Sequence, residues 1–145
     1  MTNIKFYDLN EDTNEFLYKF VKKIYSTDKK VLIHFDNKEE MVILDTFLWT
    51  HKKIDFLPHL LSDDENADIT PIILTDKMEN KNNADVIIVN SFVNNKEFLN
   101  KFEKIYYIIS FDKIEKGRQD YKNYKSKEYH LTVLKKNENA EWIES

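Results

Sequence analysis

The sequence predicts an α/β protein that forms one domain over residues 1–145, with a largely parallel central sheet and helices on both faces. Short runs of valine and isoleucine alternate along the chain with segments whose apolar residues recur at helical spacing. The apolar runs are continuous, which is typical of parallel strands that are buried on both faces.

The elements are predicted in order along the chain. Asp12 and Glu15 resemble a capping box at the start of the first helix, and Asp112 is expected to cap the last one. Residues 62–70, rich in aspartate and asparagine, are predicted to be a loop. The predicted strands cover residues 4–9, 31–35, 71–74, 85–89, 105–110 and 129–134, and the predicted helices cover residues 12–25, 37–50, 95–102 and 112–125.

Composition narrows the classes of function. With 41% hydrophobic and 14% aromatic residues, the chain can bury a core of its own. It has no cysteine, which excludes disulfides and thiolate metal sites and suits a cytoplasmic protein. No apolar run reaches the roughly 18 residues of a membrane span, and residues 1–9 lack the pattern of a signal peptide. The net charge of −4 argues against DNA as a directly bound partner.

Nucleotide binding is disfavoured by the scarcity of glycine. A phosphate-binding turn needs glycine so that backbone N–H groups can approach the phosphates. The chain has one glycine, Gly117, and it falls inside a predicted helix. We therefore expect a Rossmann-like topology without its nucleotide site, and no cofactor or metal.

One enzymatic alternative rests on carboxylates near strand ends. If Asp8, Asp36 and Asp76 converged, they could hold Mg²⁺ and support a metal-dependent phosphatase or nuclease. The simpler interpretation is that each of them forms a turn or caps a helix, because turn or cap residues follow each one.

Arg118 is a candidate binding residue because it is a rare residue type in this chain and lies beside other basic and aromatic residues. It is the one arginine among 22 basic residues, so the composition favours lysine strongly over arginine. Under this bias, an arginine is retained either because its guanidinium is needed or by chance. Arg118, Lys122 and Lys125 form a basic stripe on the last long helix, beside a face that carries Tyr121 and Tyr124. A basic stripe next to aromatic residues suits a peptide that is acidic and has an apolar end.

A second candidate surface lies in the stretch LDTFLWTHKKIDFLPHL, residues 44–60. Trp49 falls beside the inner face at the end of a helix, and tryptophan is enriched at contact sites. Phe56 is a further candidate lining residue, although residue type alone favours burial of Phe56 and Leu57 beneath the loop.

The chain resembles the chi subunit family of bacterial DNA polymerase III. The resemblance covers nearly its whole length, and LDTFLWT followed closely by DFLPH is its most specific part. The other matching segments are FYDL, KKVLIHFD, PIIL, ADVIIVN and the later RQDYKNYK.

The resemblance implies a non-catalytic adaptor. It would join the polymerase clamp loader, through the psi subunit, to the acidic tail of single-stranded-DNA-binding protein, which ends in a proline-phenylalanine pair. Carried over by motif, Arg118 would pair with the terminal carboxylate and Trp49 would help to line the same pocket, with neighbours Lys122, Tyr121, Lys125 and Phe56. Ile114 stands where the family carries a further basic residue.

The resemblance also implies a monomer or a heterodimer with psi. A direct single-stranded-DNA binder is a third hypothesis, since Tyr121 and Tyr124 could stack on bases in a basic groove.

Overall fold

The structure is a computed structural model, and it describes residues 2–50 and 57–144. Its strands are β1 (Asn3–Asp8), β2 (Val31–His34), β3 (His59–Leu61), β4 (Ile72–Thr75), β5 (Val86–Val89), β6 (Lys104–Ile109), β7 (His130–Lys136) and β8 (Trp142–Glu144). Its helices are α1 (Thr13–Tyr25), α2 (Lys38–Thr50), α3 (Lys96–Leu99) and α4 (Ile114–Ser126), with a 3-10 turn at Ala67–Ile69.

The eight strands found in the described residues belong to one sheet, in the order β3-β4-β2-β5-β6-β1-β7-β8. Every pairing is parallel except that of β7 with β8. The central strands β2, β4 and β5 are buried throughout, as expected for strands covered on both sides. The predicted α/β class, with a largely parallel sheet, is confirmed.

The helices divide between the two faces of the sheet. The apolar side chains of α1 and α2 pack with Val31, Ile33 and Leu74 on one face. Those of α3 and α4 pack with Ile4, Phe6 and other strand residues on the opposite face. We call these the α2 face and the α4 face. The connections that contain α1 and α2 step one way along the sheet, and those that contain α3 and α4 step the other way. Right-handed crossovers therefore put the two pairs on opposite sides.

Two of the long helices begin at side-chain caps, at the predicted cap Asp12 and at Asn37, where the second predicted helix starts. The Asp12 side chain accepts the N–H of Glu15 at 2.9 Å, and the Asn37 side chain accepts the N–H of Glu40 at 2.9 Å. The predicted cap at Asp112 is wrong: α4 begins at Ile114, and the Asp112 carboxylate instead accepts a hydrogen bond from the Ser110 hydroxyl.

Two short strands escape the sequence prediction. β3 follows the 44–60 stretch and pairs with β4, and β8 follows a turn in which Ala140 has a φ of 59°. Both have three residues, too few to show a period of two. β8 is held by Trp142, whose ring packs edge-on against Tyr7 at 4.9 Å and lies near Phe16 at 5.6 Å.

Among the described residues, no helix combines the length and the apolar character needed to cross a membrane.

Candidate partner-binding surface

Helix α4 lies unusually close to strand β6, and Gly117 permits this approach. A Cβ at Gly117 would stand 2.7 Å from Cγ2 and 3.1 Å from Cγ1 of Ile109, which is inside van der Waals contact. Glycine in a helix costs about 1 kcal/mol relative to alanine. The close approach explains why glycine occupies this position in spite of that cost.

Aromatic rings fix the inner side of α4. Tyr121 packs edge-on against Phe6 with ring centroids 5.3 Å apart. The fully buried Tyr124 hydroxyl donates to the Ser91 carbonyl at 2.7 Å and accepts the N–H of Val93 at 2.8 Å. These contacts hold the C-terminal half of α4 against the sheet and against the loop after β5.

A buried polar pair holds the middle of α4. The Tyr107 hydroxyl donates to the Asp120 carboxylate, and both side chains are buried. Burial raises the pKa of Asp120 above its ordinary value, and burial is also the main cause of the raised pKa of Tyr107. The pair satisfies two groups that would otherwise be desolvated without a partner.

The two flanks of α4 differ in what they face. On one flank, Lys116 pairs with Asp36 at 2.6 Å and Lys113 pairs with Glu40, so this flank is turned toward β2 and α2. Arg118 is two residues beyond Lys116, about 200° around the helix at 3.6 residues per turn. It therefore projects toward the opposite flank, over β1 and β7.

That second flank carries the predicted basic stripe, and the stripe is exposed. Arg118 is 70% exposed, with one surface ion pair to Glu115 at 3.1 Å within the same helix. Lys122 and Lys125 are exposed as well. A surface pair of this kind contributes at most about 1 kcal/mol, so an incoming carboxylate can displace it.

Below this flank runs an apolar strip. Leu131 and Val133 of β7 point to the α4 face and are only partly buried, as is Tyr121. We call this surface the α4–β7 groove, formed by Arg118, Tyr121, Lys122, Lys125, Leu131 and Val133. It combines cations with an apolar floor. Leu131 and Val133 were not singled out from sequence, although the alternating pattern of residues 129–134 beside the basic stripe could have indicated them.

Trp49 lies at the last turn of α2 and is 49% exposed. Its ring packs against the His59 ring with centroids 4.8 Å apart. His59 itself is buried: its Nδ1–H donates to the Leu57 carbonyl at 2.6 Å, and its Nε2 lies 3.4 Å from Asp45 Oδ1. Trp49 thus covers the start of β3, at the edge of the sheet where the parallel strands begin.

The expectation that Arg118 and Trp49 meet in one depression is wrong. Trp49 belongs to a helix on the α2 face, and Arg118 belongs to a helix on the α4 face. Trp49 also lies near the beginning of the strands, whereas Arg118 follows the end of β6. Phe56 lies outside the described residues. Leu57, expected to be buried, is 4% exposed.

The carboxylates of the enzymatic alternative do not gather. Asp8 ends β1, which is separated from β2 by β5 and β6, and three strand spacings amount to roughly 14 Å. Asp8 pairs with Lys135 at 3.5 Å, and Asp36 pairs with Lys116. In residues 2–50 and 57–144, no group of three His, Cys, Asp or Glu side chains is placed to hold a metal ion.

A cavity of about 220 Å³ opens at the ends of β2, β5 and β6. His34 lies in its wall, 4% exposed, and neither of its ring nitrogens has a hydrogen-bond partner among the described residues. Burial lowers the pKa of His34, against the opposing effect of Asp36 and Asp76. Burial therefore favours the neutral form of the imidazole at this site.

Comparisons with known proteins agree with the resemblance in the sequence. A family model described as "DNA polymerase III chi subunit, HolC" matches residues 1–132. A curated relative from Rickettsia prowazekii (strain Madrid E), named probable DNA polymerase III subunit chi, is 31% identical over a region that covers 78% of this chain and 75% of the relative.

A solved structure shares the fold: the C-terminal domain of S. cerevisiae Dbp5, bound to Gle1 and IP6, has a TM-score of 0.55 and covers 92% of this chain and 90% of its own. At 8% identity this likeness concerns the fold alone. The family match and the curated relative carry the assignment: this chain belongs to the DNA polymerase III chi subunit family and has an accessory role in DNA replication.

Proposed function

We propose that this protein is a non-catalytic adaptor of the polymerase III clamp loader that binds the acidic C-terminal tail of single-stranded-DNA-binding protein in the α4–β7 groove. The observation that carries the proposal is the exposed basic flank of α4 above the partly exposed Leu131 and Val133. The link to the clamp loader, through a psi subunit, and a cytoplasmic location belong to the same proposal.

The chemistry of the groove matches the chemistry of such a tail. The terminal carboxylate would accept hydrogen bonds from two N–H groups of the Arg118 guanidinium and displace Glu115, a charge-assisted contact of about 1.5–3 kcal/mol. The tail phenylalanine would lie on Leu131, Val133 and Tyr121, where burying it adds about 1.5–3 kcal/mol. After the cost of association, these terms correspond to micromolar binding.

Lys122 and Lys125 extend the site along the helix. They would attract the aspartates that precede the proline-phenylalanine pair, at a longer range that salt screens. Trp49 is left out of this site because it lies on the other face of the sheet. For Phe56, a role in partner binding stays a prediction.

No observation favours the two other hypotheses. Tyr124 is fully buried and Tyr121 packs on Phe6, so the aromatic side of α4 faces inward and offers bases little to stack on. The enzymatic alternative lacks a carboxylate cluster among the described residues.

A calorimetric titration tests the proposal. The ligand is a nine-residue peptide rich in aspartate that ends in Pro-Phe, used with a free and with an amidated C-terminus. We expect micromolar binding of the free acid and a loss of about tenfold on amidation, because the carboxylate partner of Arg118 is removed.

The matched protein variants are Arg118→Ala and Arg118→Lys. Both variants should bind the free-acid peptide with an affinity about tenfold or more below that of the wild type, since lysine cannot form the bidentate contact. Neither variant should bind the acid more tightly than the amide. Equal binding by wild type and both variants would contradict the proposal.

A further inference from the structure

We infer that the tail binds as an added β-strand, in parallel orientation, along the outer edge of β7 at residues 130–133. This inference rests on the proposed function and specifies the conformation of the bound peptide. It concerns backbone groups of β7, in addition to the side chains of the α4–β7 groove.

The hydrogen-bond pattern of β7 shows which of its backbone groups face outward. His130 donates its N–H to the carbonyl of Thr2, the residue before β1, at 2.9 Å, and the parallel register pairs His130 with Asn3. In a parallel ladder, alternate residues point to the same neighbour, so Thr132 also faces β1. The N–H and C=O groups of Leu131 and Val133 therefore point away from β1, toward the outer edge.

The last strand covers only part of that edge. β8 pairs with Leu134, Lys135 and Lys136. In the part of the chain that the structure describes, no strand pairs with the outer side of residues 130–133. An edge with unpaired backbone groups is a template for an incoming extended segment.

The side chains beside this edge suit an acidic and apolar strand. Leu131 and Val133 offer an apolar floor on the α4 face, and the exposed Lys122 and Lys125 stand above it. Glu144 of β8 pairs across from Leu134 and so projects to the opposite face with it, away from Arg118. A second copy that paired through the same edge would bring its own exposed Lys122 and Lys125 against these cations, so charge complementarity favours an acidic peptide.

The positions of the cations also set the direction of the strand. Gly117 lies over Ile109, which is level with Asp8 and, across β1, with Lys135. Tyr121 lies over Phe6, which is level with Val133. Arg118 is therefore near the end of β7, and the two lysines are nearer its beginning. A tail with its carboxylate on Arg118 and its aspartates beside the lysines runs parallel to β7.

Backbone N-methylation of the peptide tests this inference. In a bound strand, every second residue of the peptide directs its N–H toward β7, and the residues between them direct theirs to solvent. Two peptides are made, each N-methylated at alternate positions upstream of Pro-Phe, one for each set. We expect one set to lose about tenfold or more in affinity and the other to bind within twofold of the parent peptide.

Amide hydrogen exchange gives the matching readout on the protein. Saturation with the unmodified peptide should slow exchange at Leu131 and Val133 by tenfold or more, and should leave Thr132, already bonded to β1, nearly unchanged.

The outcomes separate the two proposals. If both N-methylated sets bind like the parent peptide while Arg118→Ala still weakens binding, the added strand is overturned and the groove remains the tail site. If the wild-type protein binds neither the parent peptide nor the methylated ones, both proposals fall.

Discussion

The last turn of α2 and the first half of α4 each carry one exposed candidate binding residue, and the surroundings of the two residues differ. Trp49 is 49% exposed and Arg118 is 70% exposed, and each projects from a helix of 13 residues. Trp49, however, leans on a buried histidine at the edge where the strands begin. Arg118 stands above a partly open apolar strip near the edge where the strands end.

The difference shows that the sequence can single out a candidate binding residue without showing which other residues share its surface. Trp49 lies in the connection from β2 to β3 and Arg118 in the connection from β6 to β7, and these two connections step in opposite directions along the sheet. Because both crossovers are right-handed, their helices lie on opposite faces. Leu131 and Val133, which share the α4 face with Arg118, come from the next strand along the chain.

The largest expected effect concerns the way α4 is seated. We expect Gly117→Ala to destabilise the protein by about 1–3 kcal/mol, because crowding against Ile109 outweighs the gain of about 1 kcal/mol in helix propensity. Denaturant unfolding measures the change. Thr46→Ala, at an exposed position of α2, is the control and should be neutral or slightly stabilising.

A second substitution shows whether the crowding is the cause. In an Ile109→Ala background both γ-carbons are gone, so Gly117→Ala should no longer destabilise. An unchanged penalty in that background would mean that the close approach is not the reason for the glycine.

The next effect compares the two surfaces directly. Arg118→Ala should weaken tail-peptide binding by about tenfold, which is about 1.4 kcal/mol, whereas Trp49→Ala should leave it within twofold. Titrations with one peptide preparation make the comparison. A tenfold loss for Trp49→Ala would mean that the tail reaches the α2 face and that the groove is not the whole site.

A smaller effect shows whether the basic stripe of α4, and not the overall charge of the protein, attracts the tail. Lys122→Ala and Lys125→Ala should each reduce tail affinity two- to threefold, with the loss shrinking as salt is raised. Lys23→Ala removes the same charge from an exposed position of α1 and should change affinity little. Equal losses for the three variants would attribute the attraction to overall charge and not to the stripe.

The smallest effect concerns His34, in the wall of the cavity at the ends of β2, β5 and β6, and it is an effect on stability. Because burial lowers the pKa of His34 below the ordinary value of 6.5, its contribution to stability is present above pH 6.5 and is lost as the pH falls through the lowered pKa. His34→Phe should flatten that part of the stability–pH curve, measured by denaturant unfolding at several pH values. A curve that keeps its slope would assign the acid sensitivity to other groups.

Much of the fold could be predicted because its strands are buried on both faces. Such strands have to be continuously apolar, and β2, β4 and β5 each correspond to a predicted strand. Helix starts at Asp12 and Asn37 were equally local, since a cap depends on a side chain and an N–H three residues later. The family resemblance was also present in the sequence, as contiguous segments.

The three-residue strands β3 and β8 could not be predicted, because their existence depends on pairing with β4 and β7 and not on a period of their own. The reason for Gly117 was also hidden, since it is a distance to Ile109 in another element.

The sequence by itself determined the α/β class, the family and the basic stripe of α4, because these depend on residues close together in the chain. Only the tertiary structure decided which surfaces those residues share. It placed Arg118 on the same face of the sheet as Leu131 and Val133 and on the opposite face from Trp49, because the handedness of each crossover, and not the spacing between residues, assigns a helix to one face of a parallel sheet.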